Sequence, residues 1–260
     1  VSFFGGEKLL SVDREMIRRK WIFHSRDPDE IINHVKYYDK KSISLDRSKK
    51  VKNEVVRIIE TIFDEKRISS QSDIFDFLEV ALEQQIGPAD SVALSNAYDC
   101  AKNNDILGII RCDDILSSMK LIQESRSASS RAGSQMLKCI SALSSHNLLE
   151  EYSEKITKHE SPGMHPVVTG VCSFVMGVKK EQATQMMMYG FCVSVTGAAL
   201  RLGLIDHIQS QKILHEIKPK IQQILEKFLD TKIDDCWQFS PNYDLIQMTH
   251  EKKFSKMFIT

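Results

Sequence analysis

MYGFCVSVTGAALRLGLIDHIQSQKIL, residues 188–214, decides how this 260-residue chain is read. It lies within the longest apolar stretch, 186–204, which contains Ser, Thr and three glycines and is broken by Arg201. A membrane span needs about 20 predominantly apolar residues in a row. The stretch is therefore expected as a buried helix of an all-α protein, with its most buried part at 189–200.

Helical spacing continues on both sides of it. Apolar helices are expected over 167–178 and 181–202, and a third over 209–230, in which Pro219 starts a new turn or a kink. HESPGMHP, residues 159–166, holds two prolines and a glycine and is expected as a surface loop. ESRSASSRAGSQML, residues 124–137, has the composition of a loop. Met119, Leu121, Ile122, Met136, Leu137 and Ile140 nevertheless keep helical spacing through it, so a helix is expected, stabilised by packing more than by local propensity. Further upstream, Ser70 and Asp73 form a capping box ahead of a face made by Ile74, Phe77, Leu78, Ala81 and Leu82. Gly87–Pro88 should end that helix, with Pro88 opening the next one, which carries Val92, Leu94, Ala97 and Tyr98. A short helix is expected over 106–110, and another begins near Lys52 with Val55, Ile58, Ile59, Ile62 and Phe63. No sustained alternation calls for a sheet, and no internal repeat is visible. The architecture expected is a single-domain, all-α helical bundle.

Charge and motifs narrow the function. Thirty-five basic residues balance 35 acidic ones, so no global field favours nucleic acid or an anionic membrane. The six cysteines are far apart and contain no CxxC, which suits reduced, buried thiols. The first residues lack the pattern of a secretory signal, and a cytoplasmic location is expected. His215–Glu216 and His250–Glu251 begin like the HExxH of zinc hydrolases, but neither is followed by the second histidine, and Pro219 would disturb that turn. No phosphate loop, dinucleotide fingerprint or nucleophile elbow is present. Asp113–Asp114, Glu150–Glu151 and Asp234–Asp235 are read as solvated faces or helix-end charges, and His165 as a capping or core histidine. At least one of Met186, Met187 and Met188 should enter the core. No catalytic or metal-binding residue is assigned. The signals left over suit partner contacts: the helix of Glu124 and Arg126, the helix of Tyr189, and the mixed apolar and basic tail QMTHEKKFSKMF. A binding protein is favoured over an enzyme.

ESRSASSRAGSQML, HPVVTGVCSFVMGV, MYGFCVSVTGAALRLGLIDHIQSQKIL and SPNYDLIQMTHEKKFSKMFIT also resemble, in order and spacing, successive blocks of the urease accessory protein F (UreF) family. So does EKRISSQSDIFDFLEVALEQQIGPADSVALSNAYDCAKNNDILGI, and the resemblance runs from about residue 58 to the C-terminus. It implies an all-α, dimer-forming protein without a catalytic site or tightly bound cofactor. Such a protein helps deliver nickel to urease, the nickel being handled by the complex. It binds accessory protein D, also called H, and recruits the GTPase accessory protein G to the urease apoprotein.

By position, Pro241, Asp244, Met248, His250, Glu251, Phe254, Ser255 and Phe258 match the tail block that contacts accessory protein D. Tyr189 matches an aromatic residue of the dimer-forming helix, and one turn earlier Gln185 stands where some relatives carry a basic residue. Glu124, Arg126, Ser129 and Gly133 match a block read as internal packing and polar satisfaction. The family's N-terminal Gly-rich block is replaced by SISLDRSKKVKNEVVRIIE, with Glu60 as its one remnant. The resemblance divides the chain into a divergent N-terminal segment (1–57), an all-α UreF-like domain (58–239) and a partner-docking tail (240–260). Two other readings are a UreF-like scaffold serving an assembly other than urease, and a metal-dependent hydrolase using His165, His207 or His215.

Overall fold

The computed structural model describes residues 70–240. The helix expected from Lys52 and the tail 241–260 lie outside them. Helix α1 (Gln71–Ala81) starts on the expected box: Ser70 Oγ accepts from the Asp73 N–H and the Asp73 carboxylate accepts from the Ser70 N–H, each at 3.3 Å.

The break expected at Gly87–Pro88 does not occur. α1 runs on through a π-helical segment, π1 (Leu82–Ser91), into α2 (Val92–Lys102), and Pro88 lies inside π1. In an α-helix a proline lacks one hydrogen bond and its ring collides with the carbonyl four residues back. The wider π register, bonding five residues back, removes that collision and lets the helix continue.

α3 (Ile106–Met119) is capped by Asp105, which accepts from the Gly108 N–H at 2.9 Å, and is longer than the helix expected at 106–110. It stops at Met119, so the spacing read across 119–122 does not belong to one helix. Lys120 is extended (φ −77, ψ 98), its ammonium drawn inward to Asp90 at 2.8 Å while its carbonyl accepts from Arg126. The small-residue stretch is helical as expected, in α4 (Gln123–Leu143).

α5 (Asn147–Thr157), α6 (His165–Val175), α7 (Lys180–Arg201), α8 (His207–Glu216) and α9 (Lys218–Phe228) follow, and a 3₁₀ turn (Ile233–Asp235) comes near the end. Pro219 sits in the first turn of α9 and sharpens the joint at Ile217. No strand is present among the described residues, and the fold is all-α.

The bundle is built around the pairing of α2 with α6; α4 packs outside α6, while α7 packs against α6, α8 and α9. Gly170 sets the α2–α6 spacing, since a Cβ there would collide with the Leu94 carbonyl. Val92, Ala93, Leu94 and Ala97 of α2 and Val167, Val168 and Val171 of α6 are wholly enclosed. The most buried helical surface is therefore here and not at 189–200. There, Cys192, Val195, Ala198 and Ala199 enter the core, but Val193 is 42% exposed on the other side.

Candidate partner-binding surfaces

The open side of α7 has a defined pattern. Met186 is 66% exposed, Met187 half-buried and Met188 in the core, as one turn of helix requires. Met186, Gly190, Val193 and Gly197 follow one another at steps of four, three and four, so they line a single stripe, with half-buried Tyr189 at its side. A Cβ at Gly190 or Gly197 would meet nothing within 4 Å. The result is a flat apolar strip that another helix could approach closely. Gln185 lies at its edge and donates to Gln222 of α9 at 2.7 Å, and Gln222 donates on to Glu226 at 2.7 Å.

The second surface is the root of the tail. After α9 the chain crosses π1, α2 and α3 as an extended strap. Asn96 holds its start, its amide donating to the Thr231 carbonyl at 2.8 Å and its side-chain oxygen accepting from the Ile233 N–H at 3.2 Å. Arg111 pairs with Asp234 at 2.5 Å. Further along, the N–H groups of Trp237 and Phe239 donate to the Pro88 and Gln84 carbonyls at 3.1 and 2.7 Å. Gln238 donates to the Met119 carbonyl at 2.7 Å, and Trp237, 39% exposed, stands edge-on to Phe228. The strap thus fixes where the tail leaves the bundle, beside π1. All eight tail residues matched by resemblance, Pro241 to Phe258, lie beyond the described residues.

The polar block on α4 turns inward. Arg126 donates to the Lys120 carbonyl, Ser129 accepts from the His165 N–H at 3.2 Å, and Ser130 donates to the Pro162 carbonyl. Gly133 faces the Gly163 carbonyl so closely that a Cβ would collide with it. Glu124 lies in the first turn of α4. The Ser129, Ser130 and Gly133 contacts hold α4 to the loop before α6, and Arg126 ties it to the end of α3.

That loop is not the surface loop expected. Ser161 and Met164 are buried, and the reason is Asp113, which is fully enclosed and not solvated. Its carboxylate accepts from Ser161 Oγ (2.6 Å), the Gly163 N–H (2.6 Å), the Met164 N–H (2.7 Å) and Tyr152 Oη (2.9 Å). Burial raises the Asp113 carboxyl above its ordinary value while the four donors pull it back, and the Tyr152 phenol is pushed well up. A signal in the sequence could have found it: Ile109, Cys112 and Leu116 put position 113 on the apolar face of α3, and Asp114 is its exposed neighbour.

The three candidate histidines do not converge. His165 is half-buried at the start of α6, and burial lowers its pKa, with Asp90 opposing and Lys120 adding to the effect. His207 and His215 are exposed at opposite ends of α8. Among the described residues no group of three or more His, Cys, Asp or Glu side chains is placed to hold a metal ion. The thiols are more varied than expected, since Cys112, Cys172 and Cys192 are buried, Cys100 and Cys236 half-buried, and Cys139 exposed. No helix among the described residues is long and apolar enough to cross a membrane.

An all-α bundle whose described residues include an open apolar helix face and an anchored tail root has the form of a protein that docks on other proteins. Residues 68–218, spanning α1 to the start of α9, match the model of the UreF family. The chain is 29% identical over 200 residues to the urease accessory protein UreF of Trichodesmium erythraeum, covering 77% of this chain and 86% of that one. It is 26% identical over 202 residues to the protein of the same name from Sporosarcina pasteurii, covering 78% of this chain and 100% of the relative. Urease accessory protein UreF 2 of Brucella suis is likewise 26% identical, over 201 residues. The chain belongs to the UreF family.

Proposed function

We propose that this chain is a urease accessory protein that acts as a non-enzymatic scaffold in the insertion of nickel into urease. In this reading it works as a homodimer formed through the open face of α7. The tail 240–260 takes hold of accessory protein D/H, and the assembled complex recruits the GTPase accessory protein G to the urease apoprotein. Nickel is cargo of that complex, which works in the cytoplasm.

The family match over 68–218, together with relatives named as urease accessory proteins along most of their length, carries the reading. Two features of the bundle support it. The bare stripe on α7 has the small residues and heptad-like spacing suited to a helix partner. The strap holds the root of the tail at a fixed point on the bundle.

The test is the nickel content and activity of urease from the native host after deletion of this gene. Nickel-poor, inactive urease, restored by returning the gene, is the expected outcome. Fully loaded urease in the deletion strain would overturn the reading and leave the UreF fold serving another assembly.

A further inference from the structure

Cys100 and Cys112 lie where α2 turns into α3, Cys112 within the core and Cys100 packed against its edge. Cys100 lies in the last turn of α2, Cys112 in the second turn of α3, and the two helices are joined by the tight turn 103–105, with Asn104 in the left-handed region (φ 55). The Cys100 sulfur sits over Gly108, where an added Cβ would lie 2.6 Å from it. Cys112 is one turn beyond Gly108 on the same face of α3, and the two thiols are near enough that each shifts the other's pKa. Cys100 is half-buried, whereas Cys112 is 1% exposed.

We propose that Cys100 and Cys112 form a site of reversible oxidation that takes a hydroperoxide as oxidant and closes to a disulfide tying α2 to α3. The Cys100 thiolate attacks the terminal peroxide oxygen, the O–O bond breaks, and the leaving oxygen takes a proton and departs as water or an alcohol. Cys100 is now a sulfenic acid. The Cys112 sulfur attacks the Cys100 sulfur and displaces its hydroxyl, which leaves as water with the Cys112 proton. Two thiols and one hydroperoxide thus give a disulfide, one water and one further water or alcohol, with two electrons passing to the peroxide. A dithiol reverses the closure by exchange.

The chemistry assigns the two roles. The neighbouring Cys112 thiol lowers the Cys100 thiol below its ordinary value against burial and the charges of Asp105 and Asp99, while the neighbouring Cys100 and burial raise Cys112. Nucleophile and resolving thiol are therefore the half-buried and the buried member of one pair. The other thiols are set differently: burial pushes Cys172 and Cys192 each up to about 12, and Cys139 is exposed on α4.

The full chain carrying Cys139→Ser, which removes the exposed thiol, is treated with hydrogen peroxide, alkylated and weighed without reduction. Trypsin cuts after Lys102, Arg111 and Lys120, so Cys100 and Cys112 fall in separate peptides. The expected product is an intact chain carrying three alkyl groups where the reduced chain carries five, with those two peptides cross-linked and released by dithiothreitol. With Cys112→Ser added, Cys100 should stop at the sulfenic acid and be trapped by dimedone. Recovery of both cysteines alkylated as free thiols, or Cys100 joined to a different cysteine, would overturn the proposal.

Discussion

Asp113 and Asp114 are adjacent, identical in chemistry and opposite in fate. One is enclosed and accepts from four donors drawn from α5 and the loop before α6; the other faces solvent. Removing the enclosed carboxylate strands two backbone N–H groups and two hydroxyls away from water, and each unsatisfied buried group costs about 1–3 kcal/mol. Asp113→Ala should lower the unfolding free energy by on the order of 3–5 kcal/mol in urea denaturation, which places it among the most damaging substitutions. Asp114→Ala should stay within about 0.5 kcal/mol of the parent, as an exposed site does. Similar losses for the two would show that the Asp113 network contributes little. Adjacency in a charged pair says nothing about burial. What separates the two is the 100° turn between them, and the apolar phase of α3 at Ile109, Cys112 and Leu116 already recorded it.

Among the elements, π1 and the α2–α6 contact show where sequence rules hold and where they yield. Capping residues are local, and the Ser70, Asp105 and Asp206 caps appear where short-range chemistry puts them. Gly87–Pro88 is a strong break in isolation, but α1 and α2 are both gripped by the core. A wider helical register costs less than unseating either one. Similarly, α4 has weak intrinsic propensity, and its glycine and serines serve close approach to the loop before α6. At the α2–α6 contact Gly170 admits no side chain, so Gly170→Val must push α6 away from α2. Chemical denaturation should show a loss of at least about 2 kcal/mol, within the range for overpacking a well-filled core. An unchanged midpoint would mean that the two helices can separate without cost.

On the scale of the whole molecule, the described residues enclose one continuous core and leave α7 bare along a side. Tyr189 is half-buried at the edge of that side, near Met186, Gly190 and Val193. If a second copy covers it, a carboxylate at position 189 would be enclosed without a partner, a costly arrangement. Tyr189→Asp should give monomers in light scattering where the parent gives dimers, with the helical signal in circular dichroism unchanged. A dimer that survives the substitution would remove Tyr189 from the contact. The α7 stripe is legible in sequence only as apolar composition, because residues 186–200 are apolar nearly all round the helix and the pattern does not say which side the core takes.

The amino-acid sequence by itself determined the all-α class, most helix positions, the caps and the family, because these rest on spacing within a turn or two and on ordered blocks of residues. Tertiary structure alone decided that Pro88 lies within a continuing helix, that α3 ends at Met119, and that the loop before α6 is buried on Asp113. It also decided that α7 is open on one side. Each of these depends on contacts between residues far apart in the chain: Lys120 with Asp90, Asp113 with Met164, Phe239 with Gln84. Their energies enter only once the helices are packed, and no local pattern carries them.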